Sequence, residues 1–373
     1  MRDIMMQRNH ALVIAVIIFI VAASIYLSLQ QQPADKANDQ PDGQHNGAKA
    51  REGMPMAAHA GVVGNYSTSD FDPSVYLTTW NFNDLPPKER EKYYKETPLP
   101  DGTLIREYWF SAQDKKIEVA PGVFYDAWVY NGQAPGPTVR ATDGDTIRIY
   151  FKNDGSKPHT IHFHGLHPAG MDGSFPDQFV NPGENFTYEF KAEPAGLHLY
   201  HCHSTPLKDH IAHGLYGAYI VDPKGSRAPA HELVMVLNSF DTNFDEENEI
   251  YAANTKAFYY MNNPIKVKKG ELVRIYAVNI VEFDQINSLH IHGNFFNEYR
   301  TGTMPEPNAY TDIIELGQGE RSVLELRFNE TGLFMFHAHQ TEFTEKGWMG
   351  AFDVQDAELP GQIENLSSQE VEE

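Results

Sequence analysis

In PTVRATDGDTIRIYF, Pro137–Phe151, apolar and polar residues alternate on both sides of Gly144. Such alternation predicts a strand, a turn and a second strand. PIKVKKGELVRIYAV, Pro264–Val278, has the same pattern. Two more segments recur. HFHG (His162–Gly165) is echoed by HIHG (His290–Gly293), and GENFTYEFKAEPAGLHLYHCH (Gly183–His203) by GERSVLELRFNETGLFMFHAH (Gly319–His339). Gly183 to His201 is 18 positions, and so is Gly319 to His337. The repeat predicts two similar β-domains in succession, residues 71–225 and 226–356. Short strands with frequent turns suit sandwiches rather than a parallel sheet, so the expected fold class is all-β.

The pattern changes at both ends. Ala11–Leu29 is 19 residues without a charge, preceded by Arg2 and Arg8. As a helix it would span about 28 Å, nearly the hydrocarbon thickness of a bilayer. The apolar core of a cleaved signal peptide is shorter, about 7–15 residues. Residues 1–30 are therefore expected to anchor the chain in a membrane, with a cleaved signal segment as the alternative. Either way the rest lies outside the cytoplasm. Residues 31–70 read as a flexible polar linker, and 357–373 as an acidic tail.

Composition narrows the partners. Twenty-nine Lys and Arg against 51 Asp and Glu give a net charge of −22. Such a surface disfavours nucleic acid and favours cationic partners. Cys202 is the only cysteine, so export proceeds without a disulfide framework.

The candidate chemistry lies in four H-x-H pairs: His162/His164, His201/His203, His290/His292 and His337/His339. On a strand both members of a pair face one way, which makes half a metal site. Eight imidazoles exceed one ion's needs and suit a cluster shared by the two domains. The same alternation turns Cys202 away from His201 and His203, and His159 away from His162. His210 follows Cys202 by eight positions. A thiolate, two imidazoles and a weak or missing axial ligand form a trigonal blue-copper site. Leu215, at the axial position, cannot coordinate. His213 is a rival to His210.

HTIHFHG, the HCH and H-x-x-x-G-L motifs, YNGQAPGPTVRATDGD and GLHPAGMDG together resemble the copper motifs of multicopper oxidases, over roughly Tyr108 to Val354. The resemblance implies cupredoxin-like Greek-key domains. It implies His159, Cys202 and His210 at a type 1 copper, and His162 with His290 at a type 2 copper. His203, His292 and His337 would hold one type 3 copper, and His164, His201 and His339 the other, giving four ions per chain. One feature departs from laccases, whose second type 1 histidine comes five residues after the cysteine rather than eight. Only His210 preserves the spacing to Gly214 and Leu215. In the second domain Asn287, Ala338, Phe343 and Trp348 replace every type 1 position, while all four cluster histidines remain.

The resemblance further implies a laccase-like oxidase. It would take single electrons from a donor and reduce O2 to water, with Cys202 linking its own site to His201 and His203. Asp172 matches a proton-relay position, although an Asp before Gly173 also suits a plain turn. Glu342 is a second candidate. Two-domain relatives form homotrimers with the cluster between subunits, and the same is expected here. Copper nitrite reductase is the alternative, although that family carries an Asp where this chain has His162. A non-catalytic copper-binding protein is a further one. The donor stays open between a small molecule, a metal ion and a redox protein. The 11 methionines form no Met-rich segment. His167, His198 and His213 are expected beside the site or on the surface.

Overall fold

The computed structural model describes residues 65–69, 71–78, 87–225 and 227–356. The expected membrane segment, most of the linker and the tail lie outside them. Among the described residues no helix is long and apolar enough to cross a membrane.

The first sandwich contains β1 (Tyr94–Pro98), β2 (Leu104–Ala120), β3 (Val123–Tyr130), β4 (Val139–Thr142), β5 (Thr146–Asn153), β6 (His162–Phe163), β7 (Asn185–Lys191), β8 (Gly196–His201) and β9 (Tyr216–Asp222). One sheet runs β1-β2-β5-β7 with β3 also paired to β2, and the other runs β4-β9-β8-β6. The second sandwich contains β10 (His231–Phe240), β11 (Ile250–Ala253), β12 (Ile265–Lys268), β13 (Val273–Asn279), β14 (Ile286–Ile291) and β15 (Phe296–Arg300). It continues with β16 (Ala309–Thr311), β17 (Ile313–Gly317), β18 (Arg321–Leu326), β19 (Gly332–His337) and β20 (Met349–Gln355). Its sheets run β11-β10-β13-β18-β15-β16 and β12-β20-β19-β14-β17. The fold is all-β and cupredoxin-like.

The repeated strand–glycine–strand unit is a corner and not a hairpin. β4 and β5 lie in different sheets, as do β12 and β13. Gly144 and Gly270 make the corners at φ of 89° and 81°, a region that L side chains avoid. Because the chain changes sheets there, β2 pairs with β5 and β10 with β13 in parallel.

Every residue of β8 is buried. Leu197 and Leu199 face the second sandwich, packing with Val234, Val236, Tyr276 and Val278. Tyr200 and Cys202 face the core of their own sandwich. A strand covered on both faces reads as an apolar run. Each aliphatic side chain buried this way contributes about 1.5–3 kcal/mol. Ion pairs add to this seam. Arg140 bonds Asp222 at 2.6 Å and Glu232 at 2.9 Å, and Arg274 bonds Glu232 at 2.8 Å. The strand that leads into Cys202 is therefore held by both domains.

The end of the expected linker is tied down. The Glu118 carboxylate accepts hydrogen bonds from the backbone N–H groups of Ser67 (2.7 Å) and Thr68 (2.8 Å) and from both hydroxyls. The Tyr66 hydroxyl donates to the Ala257 carbonyl at 2.6 Å, reaching the second sandwich.

Candidate metal centres

His159, Cys202 and His210 converge from three elements. His159 lies on a bridge to Val180, Cys202 just past β8, and His210 in a helix, Leu207–Ala212. Cys202 Sγ is 3.2 Å from His210 Nδ1 and 3.9 Å from His159 Nδ1, and the two nitrogens are 3.2 Å apart. The helix absorbs the longer spacing: the additional residues after Cys202 form a turn that returns His210 to the sulfur. His213 is turned away, and its ring stacks on Trp128 at 4.2 Å. All three converging residues are buried. Burial pushes His159 down to about 3 and His210 to about 4, so both rings are neutral with lone pairs free at pH 7. Burial also pushes the Cys202 thiol up, against the pull of the Thr160 N–H at 3.3 Å. A buried thiolate needs a cation beside it. His159 Nε2 is buried with no hydrogen-bond partner, so the ring is held for what its Nδ1 does. A soft thiolate with two imidazoles fits copper.

The other histidines form two quartets. β6 ends one residue after His162, β8 ends at His201, β14 at Ile291 and β19 at His337, so all four second members lie beyond a regular strand. The pairs still stay together, with ring centres 5.4 Å apart for His162/His164 and 5.0 Å for His290/His292. Within the first quartet His164 Nε2 lies 3.2 Å from His201 Nε2; within the second, His292 Nε2 lies 2.9 Å from His337 Nε2. Backbone carbonyls orient the rings. Asp172 O, Cys202 O, Asp312 O and Ala338 O each accept from an Nδ1–H, of His162 (2.9 Å), His201 (2.9 Å), His290 (2.8 Å) and His337 (2.5 Å). That tautomer leaves Nε2 free for a metal. Burial depresses His164 to about 3 and His201 to about 4, and lowers His292 and His337. No ring of one quartet contacts a ring of the other among the described residues, and His292 and His339 are exposed.

The second sandwich repeats the first centre's scaffold without its donors. Cys202 N bonds Leu215 O, and Ala338 N bonds Trp348 O; Leu215 N bonds His210 O, and Trp348 N bonds Phe343 O. The Thr160 hydroxyl accepts from His203 N, and the Ser288 hydroxyl from His339 N. Asn287, Ala338, Phe343 and Trp348 are all buried there, the last three in the apolar core.

Comparison with known proteins matches this arrangement. A family model described as multicopper oxidase matches residues 111–226, and a second one of the same description matches 227–358. The chain belongs to the multicopper oxidase family. It is 49% identical to a solved multicopper oxidase over 81% of this chain and 100% of that one, with a TM-score of 0.72. A copper nitrite reductase from Nitrosomonas europaea is 26% identical over 67% of this chain and 94% of that one, with a TM-score of 0.62. The copper-containing nitrite reductase of Neisseria meningitidis serogroup A is 29% identical over 272 residues, 66% of this chain and 69% of the relative. Membership makes the protein an oxidoreductase and makes copper its metal.

The structure brings Asp172 to the first quartet. Its Oδ1 is 3.3 Å from His162 Nδ1 and 3.7 Å from His167 Nε2. Burial alone would raise its pKa; the bond from Ser174 and the nearby imidazoles outweigh this and hold the carboxyl low. Glu342 is not brought in: it is exposed and pairs with Lys346 at 2.7 Å. His198 is not at the surface but buried, with Nε2 2.8 Å from Pro194 O. Asp312 was not anticipated; it takes the place at His290 that Asp172 has at His162. Trp128 was also missed, and its ring packs on both His210 (4.8 Å) and His159 (5.4 Å). No motif marks either residue.

Proposed function

We propose that the protein is a laccase-like oxidase that takes electrons singly at the Cys202 centre and reduces dioxygen to water at the histidine octet. The octet carries this reading: His203, His290 and His292 exceed what a mononuclear three-histidine site requires. Copper at both centres would supply the one-electron redox change and the Lewis acidity. His159, Cys202 and His210 would hold one ion, His162 with His290 a second, His203, His292 and His337 a third, and His164, His201 and His339 a fourth. Cys202 is bonded through the backbone to both His201 and His203, and its carbonyl accepts from the His201 ring. This is the shortest covalent path between the centres. Asp172 is ionised at neutral pH and poised to receive and pass a proton beside His162. The same reading places the oxidase outside the cytoplasm, anchored by the segment that precedes the described residues. It also has the quartets meet across the subunits of a homotrimer.

The test is oxygen uptake by the copper-loaded protein against a donor panel, with copper per chain measured alongside. Uptake with about four ions per chain supports the reading, whereas one or two ions without uptake refutes it. The similarity to nitrite reductases favours one second reading, reduction of nitrite to nitric oxide. Nitric oxide release from nitrite and a donor without oxygen would support it.

A further inference from the structure

The Cys202 centre has no ligand at the surface. His159 is 0% exposed and His210 3%, so a donor cannot touch either ring. What lies over them is a stack of rings. Trp128 packs on both ligands, and His213 stacks on Trp128 at 4.2 Å and 16°. Phe244 stacks on His213 at 5.6 Å and 19°, and Phe244 is 56% exposed. The His213 ring is fixed by its Nδ1–H, which donates to Asp209 O at 2.6 Å.

The second sandwich shows which part of the stack belongs to the fold. Trp128 N bonds His213 O, and Tyr251 N bonds Lys346 O, so Tyr251 stands for Trp128 and Lys346 for His213. Tyr251 stacks on Phe343 at 4.0 Å, repeating the inner contact. There the rings stop, because Lys346 holds no ring. Only the sandwich with the thiolate continues the stack to solvent.

Phe244 stands in a loop of unusual charge. DTNFDEENE, Asp241–Glu249, has five carboxylates and no cation. Asp241 and Glu249 are used internally: Asp241 Oδ1 accepts from Phe244 N at 2.6 Å, and Glu249 Oε2 from Thr242 N at 2.6 Å. These bonds fix the backbone that carries the ring. Asp245, Glu246 and Glu247 are exposed, and Lys208 pairs with Glu246. Several carboxylates around one exposed ring match a face carrying several lysines better than a small cation, which would neutralise one or two.

We propose that electrons reach the Cys202 centre through Phe244, His213 and Trp128, from a redox protein that docks a lysine-rich face on this acidic loop. This rests on the copper reading above. In each transfer the donor protein's redox centre loses one electron and the Cys202 centre gains it; no bond or proton moves. Trp128 and His213 act as positioned bridges.

The experiment mixes the full-length, copper-loaded protein with a reduced, basic c-type cytochrome under argon and follows bleaching of the blue absorption. Calorimetry with the metal-free protein measures docking separately. The bleaching rate should fall about ten-fold or more from low to physiological salt, and hexaammineruthenium(II) should show a smaller drop. Trp128→Leu should slow bleaching about ten-fold or more at saturating cytochrome, with the type 1 EPR spectrum and reduction potential unchanged. If that variant misfolds or shifts the potential, His213→Leu, one ring further out, decides by the same measure. Glu246→Gln with Asp245→Asn should weaken docking to the metal-free protein. Wild-type bleaching in both ring variants, or docking indifferent to salt and to the loop changes, overturns the proposal. So does fast bleaching by the small cation alone. A copper-loaded protein without a blue band overturns the copper reading as well, which separates the two failures.

Discussion

Cys202 serves two purposes with different atoms. Its Sγ faces His159 and His210, while its carbonyl orients His201. Serine would remove the soft donor and keep the carbonyl. Cys202→Ser is therefore expected to abolish the blue band and its EPR signal and to lower bound copper by about one ion per chain, the octet staying loaded. Loss of all copper would show that the centres are not separable. Asp172 invites a complementary test. Asparagine keeps the shape but cannot accept a proton. Reoxidation of the fully reduced Asp172→Asn protein by an oxygen pulse should slow about a hundred-fold or more, with reduction by the donor unchanged. Equal reoxidation rates would leave Asp172 a turn residue.

Between elements the same question is how distant segments are held. The strap at Asn65–Ser69 depends on Glu118, which is 2% exposed. Burial alone would raise this carboxyl, but bonds from Gly122, Thr68 and Ser67 outweigh it and lower the pKa below its ordinary 4.5. A depressed carboxylate contributes stability that is present above the ordinary value and lost as pH falls through the folded value. The amides of Ser67 and Thr68 should thus lose hydrogen-exchange protection on acidification below about pH 4.5. Glu118→Gln should show reduced protection already at pH 7, at a cost of about 1–3 kcal/mol, because its amide NH2 confronts N–H donors. Unchanged protection in that variant would mean that Tyr66 alone holds the strap. Sequence made little of this visible, since Glu118 is one acid in an alternating strand and its partners lie far back in a polar stretch. The H-x-H pairs and Cys202 were legible because their chemistry forces residue type and spacing. The turns at Gly144 and Gly270 were legible, but not that the chain changes sheets there, because local alternation does not say which sheet receives the next strand. The ring stack was invisible for a related reason: β3, the residue that ends a helix and a loop of the other sandwich each contribute one ring.

For the whole molecule, the two separate quartets pose the sharpest problem. Four of the eight histidines donate Nδ1–H to a backbone carbonyl and leave Nε2 free, and among the described residues no ring of one quartet contacts a ring of the other. Exposed apolar side chains flank both: Leu166 and Phe175 are 60% and 59% exposed in the segment after His164, and Phe295 stacks on Tyr310 at 5.3 Å in the segments after His292. Exposed apolar residues beside an incomplete site mark a contact surface. Head-to-tail contact between unlike surfaces closes into a ring when the rotation allows, and the homotrimer proposed above would be such a ring of three. Light scattering should then report a trimer, but a mixing experiment locates the active centre. Two variants are each dead by design: His164→Ala with His201→Ala destroys the first quartet, and His292→Ala with His337→Ala destroys the second. In a ring where one chain's second quartet meets the next chain's first, every mixed trimer contains one junction with both quartets intact. Co-expression in equal amounts should restore about a quarter of wild-type oxygen uptake, although neither parent has any. If each cluster were completed within a single chain, every chain in the mixture would lack one half and no activity would return.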